Sequence, residues 1–202
     1  MKPIIITFFG EACCGKNTAA LAVIEKYKGK ASVKEYSFAA KIKEIAVKYF
    51  GWDGVKDEKG RKLLQTIGAA GRAYDPNVWI NHCHDLISLE YAKFVEPLLV
   101  YEKPHPFIAL VTDGRYSSPE EGNEMKWTQS QGGIAIRLLR NARKKSAKKA
   151  GITKETAGHE SENSLATEGY DATISNSGTK DDFMNTVRDV VSSHLKDAKY
   201  GL

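Results

Sequence analysis

The chain has 202 residues, 42% of them hydrophobic and 27% charged, with a formal net charge of +5. That length suits one sizeable core rather than two independent domains, and the composition excludes wholesale disorder. No apolar run approaches the roughly 18 to 20 residues that a bilayer span requires, and three cysteines without a spaced framework (Cys13, Cys14, Cys83) point to a reducing, cytoplasmic setting rather than a secreted disulfide scaffold.

The opening "MKPIIITFF" is too short for a signal peptide, lacks a small-residue cleavage site and reads as a strand over residues 3–9. It runs into "GEACCGKNT", which nearly spells the phosphate-binding pattern G-x-x-x-x-G-K-[ST]. Close glycines let successive backbone N–H groups turn inward on an anion, and a following helix points its positive end the same way. That helix is expected in "NTAALAVIEKYK", where Leu21, Ile24 and Tyr27 keep helical spacing. The departure is Asn17, which stands where the pattern places a hydroxyl for magnesium. Adjacent Cys13 and Cys14 do not have the C-x-x-C spacing of a dithiol catalyst; they read as small loop residues contributing N–H groups.

Further strands are expected near residues 33–38 and at 107–112, 134–138 and 172–175, alternating with helical stretches, which favours an α/β fold on a parallel sheet. "AAKIKEIAVKYF" carries a stripe of Ile42, Ile45, Ala46 and Tyr49 and reads as a helix ending at Gly51. A mostly helical insertion follows, to about residue 104. In "FIALVTDGRY" an apolar run ends in Asp113, a candidate for the magnesium shell, with Arg115 at the edge where open α/β sheets bind ligands. Asp113 could instead simply cap a turn. "RLLRNARKKSAKK" has seven basic residues and no acid, which suggests an anionic partner. Within it Arg137, Arg140 and Arg143 recur every three residues, a drifting helical face if all three are helical. "ISNSGT" is an ordinary Asn-x-Gly turn signal after the last strand. "KDDFMNTVRDVVSSHLKDA" closes the chain as an amphipathic helix.

Taken in order, "GEACCGKNT", "FAAKIKE", "FGWDGVKDEKGRKLLQTIG" with "GRAYDPNVWI", "VTDGRY", "IRLLRNAR" and "HESE" resemble the phage-type deoxynucleoside monophosphate kinases, part of the nucleoside monophosphate kinase group of P-loop kinases. The resemblance runs from about residue 4 to 191 and is most specific in the "WDG…KDEKGRKLLQ…GR…W" block. It implies a P-loop kinase fold: a five-stranded parallel core (about 1–37, 105–136 and 165–202), a monophosphate-binding insertion (about 38–104) and a basic lid (about 137–164). It implies ATP as donor and Mg²⁺ as cofactor, held by Asn17 and Asp113, with Asn17 neutral where the family commonly has aspartate.

Donor contacts implied in this way come from Gly10, Ala12, Cys13, Cys14, Gly15, Lys16, Asn17, Thr18, Arg137 and Arg140, with the adenine against the backbone around Asn176 and Gly178. Acceptor contacts come from Phe38, Lys41, Arg61, Gln65, Arg72, Trp79, Asp113, Arg115 and Glu162. Lys16, Arg72, Arg115, Arg140 and Arg143 converge on the transferring phosphate. Trp52, Tyr74 and Trp79 are each able to stack on a base or fill core.

The expected activity is thus ATP-dependent phosphorylation of deoxynucleoside monophosphates, with no membrane or nucleic-acid partner, and with monomer and homodimer both open. A dephospho-coenzyme A kinase is the nearest rival. A nucleic-acid-binding NTPase is disfavoured by the lack of aromatics among the basic residues. A regulatory GTPase is disfavoured by the lack of an N-K-x-D motif.

Overall fold

The computed structural model describes residues 2–101, 105–117, 122–140 and 165–197. Strands β1 (Ile4–Phe9), β2 (Ser32–Tyr36), β3 (Phe107–Gly114), β4 (Ile134–Leu139) and β5 (Ala172–Ser175) form one sheet in the order β2-β3-β1-β4-β5, every neighbouring pair parallel. The helices are α1 (Lys16–Tyr27), α2 (Ala40–Phe50), α3 (Glu58–Tyr74), α4 (Val78–Tyr101), α5 (Glu124–Ser130) and α6 (Lys180–Asp197).

β1 is central, and all six of its residues are buried, as expected of a parallel strand covered on both faces. Ile4, Ile6 and Phe8 point into a core closed by α1 and α6, through Val23, Tyr27, Phe183, Val187, Val191 and Leu195. Ile5 faces the other way, into a core with Ala109, Val111 and three residues of α4: Ile80, Cys83 and Ile87. α4 therefore packs on the sheet, although the sequence places it inside the insertion. Among the described residues no helix is long and apolar enough to cross a membrane.

Two features shape the edge where the strands end. Between the pairs Thr7–Val111 and Phe9–Gly114 the register slips, so Thr112 and Asp113 stand opposite the single residue Phe8. Such a bulge re-aims side chains at a sheet rim. α5, which the sequence does not announce, runs under the same edge. Its N-cap Asn123 accepts from Lys126 N at 2.8 Å, and Thr128 Oγ1 lies 2.7 Å from Thr7 Oγ1 on β1.

Candidate active site

The loop between β1 and α1 has the geometry that its glycines foretell. Gly10, Cys13 and Gly15 have φ of 152°, 63° and 112°. Gly15 also has no room for a side chain, since a Cβ there would stand 2.5 Å from Asn176 Nδ2. α1 starts with no side-chain cap and no acid in its first turn, so its positive end stays open to an anion. Lys16, only 9% exposed, folds back and donates to Gly10 O at 2.6 Å and Glu11 O at 2.9 Å. Burial pushes the Cys14 thiol up, although Lys16 and Arg115 pull it down. Cys13, Asn17 and Glu11 are exposed, while Ala12 and Thr18 are half-buried.

The loop is braced from two later segments. Asn176 Nδ2 donates to Cys14 O at 2.9 Å, and Arg140 Nη1 to Cys13 O at 3.3 Å. Asn176 thus holds the loop with its side chain, while its own N–H bonds Leu139 O at 2.7 Å. Gly178 stands exposed before α6, where Thr179 and Asp182 cap each other reciprocally.

Beside the loop lies a cavity lined by Phe38, Ala39, Ile42, Lys43, Lys56, Arg61, Leu64, Gln65, Gly68, Arg72, Trp79, Asp113, Arg115, Tyr116 and Glu124. The end of β3, next to Asp113 and Arg115 of its lining, is tied to the loop by a bond from Gly10 N to Gly114 O at 3.4 Å. Seven residues expected at an acceptor site meet here: Phe38, Arg61, Gln65, Arg72, Trp79, Asp113 and Arg115. Lys41 is not among them, because its ammonium pairs with Glu44 at 2.7 Å on the outer face of α2. Lys43, two residues further along α2, lines the cavity instead.

Of the three candidate stacking aromatics, only Trp79 lines the cavity. It is 7% exposed, its Nε1 donates to Gly68 O at 2.9 Å, and a Cβ at Gly71 would overlap its ring. Trp79 is therefore a wall fixed against α3. Tyr74 is 92% exposed at the end of that helix, and Trp52 Nε1 bonds Val55 O in the preceding turn.

Asp113 does what its sequence position also allowed. Oδ1 accepts from Phe38 N at 2.8 Å, and Oδ2 accepts from Ser37 Oγ at 2.5 Å and Ala39 N at 3.1 Å. It thereby caps α2, whose own N-cap residue Ala39 offers no side-chain acceptor. With three donors already on the carboxylate and a neutral amide at Asn17, this pair fits a magnesium ion held through its waters better than one bound directly. No cluster of three or more His, Cys, Asp or Glu suited to a metal occurs among the described residues.

The charged side chains that line the cavity are mostly cationic. Five cations line it (Lys43, Lys56, Arg61, Arg72 and Arg115) against two acids. Lys56 is pushed below the ordinary lysine range, first by burial and then by Lys43 and Arg61, with Arg115 adding to them. Of the acids, Asp113 is engaged by α2, and burial pushes Glu124 up to about 8. A lining with five cations and two acids suits a phosphate. The sequence did not single out Lys43, Lys56, Tyr116 or Glu124; the polar turn "GWDGVKDEKG" held a signal for Lys56, but nothing local marks Glu124.

Of the three arginines expected on a helical face, Arg137 stands on a strand instead. Arg137 lies in β4, registered with Phe9 and Thr173, and its Nη1 donates to Thr167 O at 2.8 Å. Its guanidinium sits 5.8 Å from the Tyr170 ring centre. Arg140 follows the strand and reaches the phosphate loop, while Arg143 and Glu162 lie outside the described residues.

No family model matches the chain, and no curated protein does. Solved structures do. A protein of Chloroflexus aurantiacus j-10-fl, provisionally named a kinase, is similar at 16% identity with a TM-score of 0.53, covering 97% of each chain. The APS kinase of Mycobacterium tuberculosis, solved with AMPPNP and APS, is similar at 13% identity with a TM-score of 0.51, covering 95% of this chain and 98% of its own. Together with the sheet order and the loop before α1, these similarities show that the chain has the α/β fold of the P-loop kinases.

Proposed function

We propose that this protein is a phosphotransferase that moves the γ-phosphoryl group of ATP to a deoxynucleoside 5′-monophosphate. The observation that carries the reading is the five-cation cavity at the end of β3, next to a phosphate-type loop at the end of β1. A donor on the loop and a phosphomonoester in the cavity would meet across the Phe9–Gly114 pairing. The sequence resemblance, with its "KDEKGRKLLQ…GR" block, supplies the acceptor class, and five residues of that block (Lys56, Arg61, Leu64, Gln65 and Arg72) line the cavity.

In such a reaction the protein mainly positions the two phosphates and offsets their charge, and no strong base is required. The loop N–H groups and the open end of α1 take the donor phosphates. Lys16 leaves the carbonyls of Gly10 and Glu11 for the outer phosphates. Arg61, Arg72, Arg115, Lys43 and Lys56 would hold the acceptor phosphate. Arg140 would follow the donor from its present bond to the loop. Asn17 and Asp113 would hold the water shell of Mg²⁺, which when bound neutralises charge on the donor phosphates. The protein is expected to act in the cytoplasm, as monomer or homodimer.

The test is coupled ADP release over a panel of deoxynucleoside and ribonucleoside monophosphates, dephospho-coenzyme A and adenosine 5′-phosphosulfate. Turnover with one or more deoxynucleoside monophosphates is expected. Turnover confined to dephospho-coenzyme A or the phosphosulfate would replace the acceptor, and salt-sensitive DNA binding with no acceptor-dependent ADP release would replace the reading altogether.

A further inference from the structure

The strongest feature that this reading leaves unused is Glu124, the first residue of α5. It is 6% exposed, has no place in the phosphate-transfer roles above, and still lines the cavity. Its Oε2 accepts two backbone bonds, from Arg115 N at 2.6 Å and from Tyr116 N at 3.0 Å. These are the first N–H groups after β3, past the last strand pairing, and an unmet buried N–H is costly. Tyr116, 6% exposed, in turn supports the Arg72 guanidinium, which lies 4.0 Å from the centre of its ring. Arg72 comes from α3, far off in sequence, and is linked to Glu124 through that ring and through its charge, which is felt at the Glu124 carboxyl.

We propose that Glu124 is a positioning residue for the acceptor phosphate: through one carboxyl oxygen it fixes both the backbone from which Arg115 projects and the aromatic platform on which Arg72 rests. The carboxyl can do this because α5 is itself anchored. Thr128 Oγ1 donates to Glu124 O at 2.9 Å and meets Thr7 of the central strand, and Glu124 N donates back to Tyr116 O at 3.1 Å. One oxygen serves both guanidinium groups, so loosening it should disturb both together and leave the phosphate loop untouched. A glutamine keeps the accepting oxygen; an alanine does not.

This inference rests on the acceptor-phosphate reading of the cavity, and the experiment separates the two. Binding of inorganic phosphate and of dAMP to the wild-type protein is measured by calorimetry, alongside steady-state kinetics. E124A is expected to raise the acceptor KM by about tenfold or more while the ATP KM stays within about twofold, and E124Q to recover to within about threefold of wild type. In an R72A/R115A background the further effect of E124A should shrink to about twofold or less, as coupling through those arginines requires.

Equal losses for donor and acceptor, or an undiminished E124A effect in that background, would overturn the proposal. Should E124A not fold, Y116L keeps apolar volume but removes the platform; it should raise the acceptor KM alone, and an unchanged KM would overturn the link to Arg72. Wild type that binds phosphate yet phosphorylates nothing in the panel would sink the substrate reading, and the same comparisons, read as phosphate Kd, would still decide the role of Glu124. Wild type that binds neither phosphate nor dAMP would sink both.

Discussion

At the Glu124 carboxyl, the N–H groups of Tyr116 and Arg115 and the charge of Arg72 favour ionisation, while Asp113 opposes it. Burial outweighs the favourable contacts and pushes the group up to about 8 from an ordinary 4.5. The folded chain therefore keeps a proton that the unfolded chain has already lost over that window. Stability contributed by the protonated form is full below pH 4.5 and drains away as pH rises through about 8. E124Q resembles the protonated acid and has no such proton to lose. We expect it to melt roughly 4 °C or more above wild type at pH 8 and to converge with it near pH 5, as followed by circular dichroism. A difference independent of pH would show that burial does not govern this carboxyl. Asp113 illustrates the opposite outcome at the same scale. Its strand-end position was legible in the sequence, but its occupation by Ser37, Phe38 and Ala39 depends on β2 and β3 lying side by side.

At the scale of elements, long periodic segments were readable and short ones were not. α1, α2 and α6 form where helical spacing predicts them, although Leu21 of the α1 stripe and Tyr49 of the α2 stripe are exposed, and all five strands stand within a residue or two of expectation. β3 runs on to Gly114 and so contains Asp113, while β2 stops at Tyr36 and leaves Phe38 in the turn that Asp113 caps. α5 escaped because its seven residues are too few to display a period, and its stability comes from Asn123, Thr128 and the sheet beneath. The α3–α4 contact carries a sharp test. Gly71 lets the Trp79 ring lie directly on α3, and a Cβ there would overlap it. G71A should cost about 1–3 kcal/mol through overpacking and lower the melting temperature by about 3–10 °C. Because Trp79 walls the cavity, the acceptor KM should rise with it. An unchanged melting temperature would mean that the two helices part without loss.

For the molecule as a whole, the proposed function makes the loop and the cavity neighbouring but separate subsites, and occupation of each should then stabilise the fold on its own account. A ligand at 100 times its Kd adds about 2.7 kcal/mol, which for a chain of this size raises the melting temperature by roughly 5–10 °C. Mg-ATP and dAMP are each expected to give such a shift in a thermal-melt assay, and an unreactive ATP analogue with dAMP should give close to the sum. A dAMP shift that disappears once the analogue is bound would mean one shared subsite. The sequence by itself determined the parallel α/β architecture, the glycine-rich turn before α1 and the acidic strand end, because burial period and glycine spacing are local properties that the chain carries wherever it is placed. Tertiary structure alone decided which charges would face one another: Lys43 rather than Lys41 at the cavity, Asp113 spent on capping α2, Arg137 turned toward Tyr170, and Glu124 buried beneath Arg115. Those outcomes depend on residues distant in sequence sharing a low-dielectric space, where the balance of desolvation against hydrogen bonds is set by neighbours that no local pattern names.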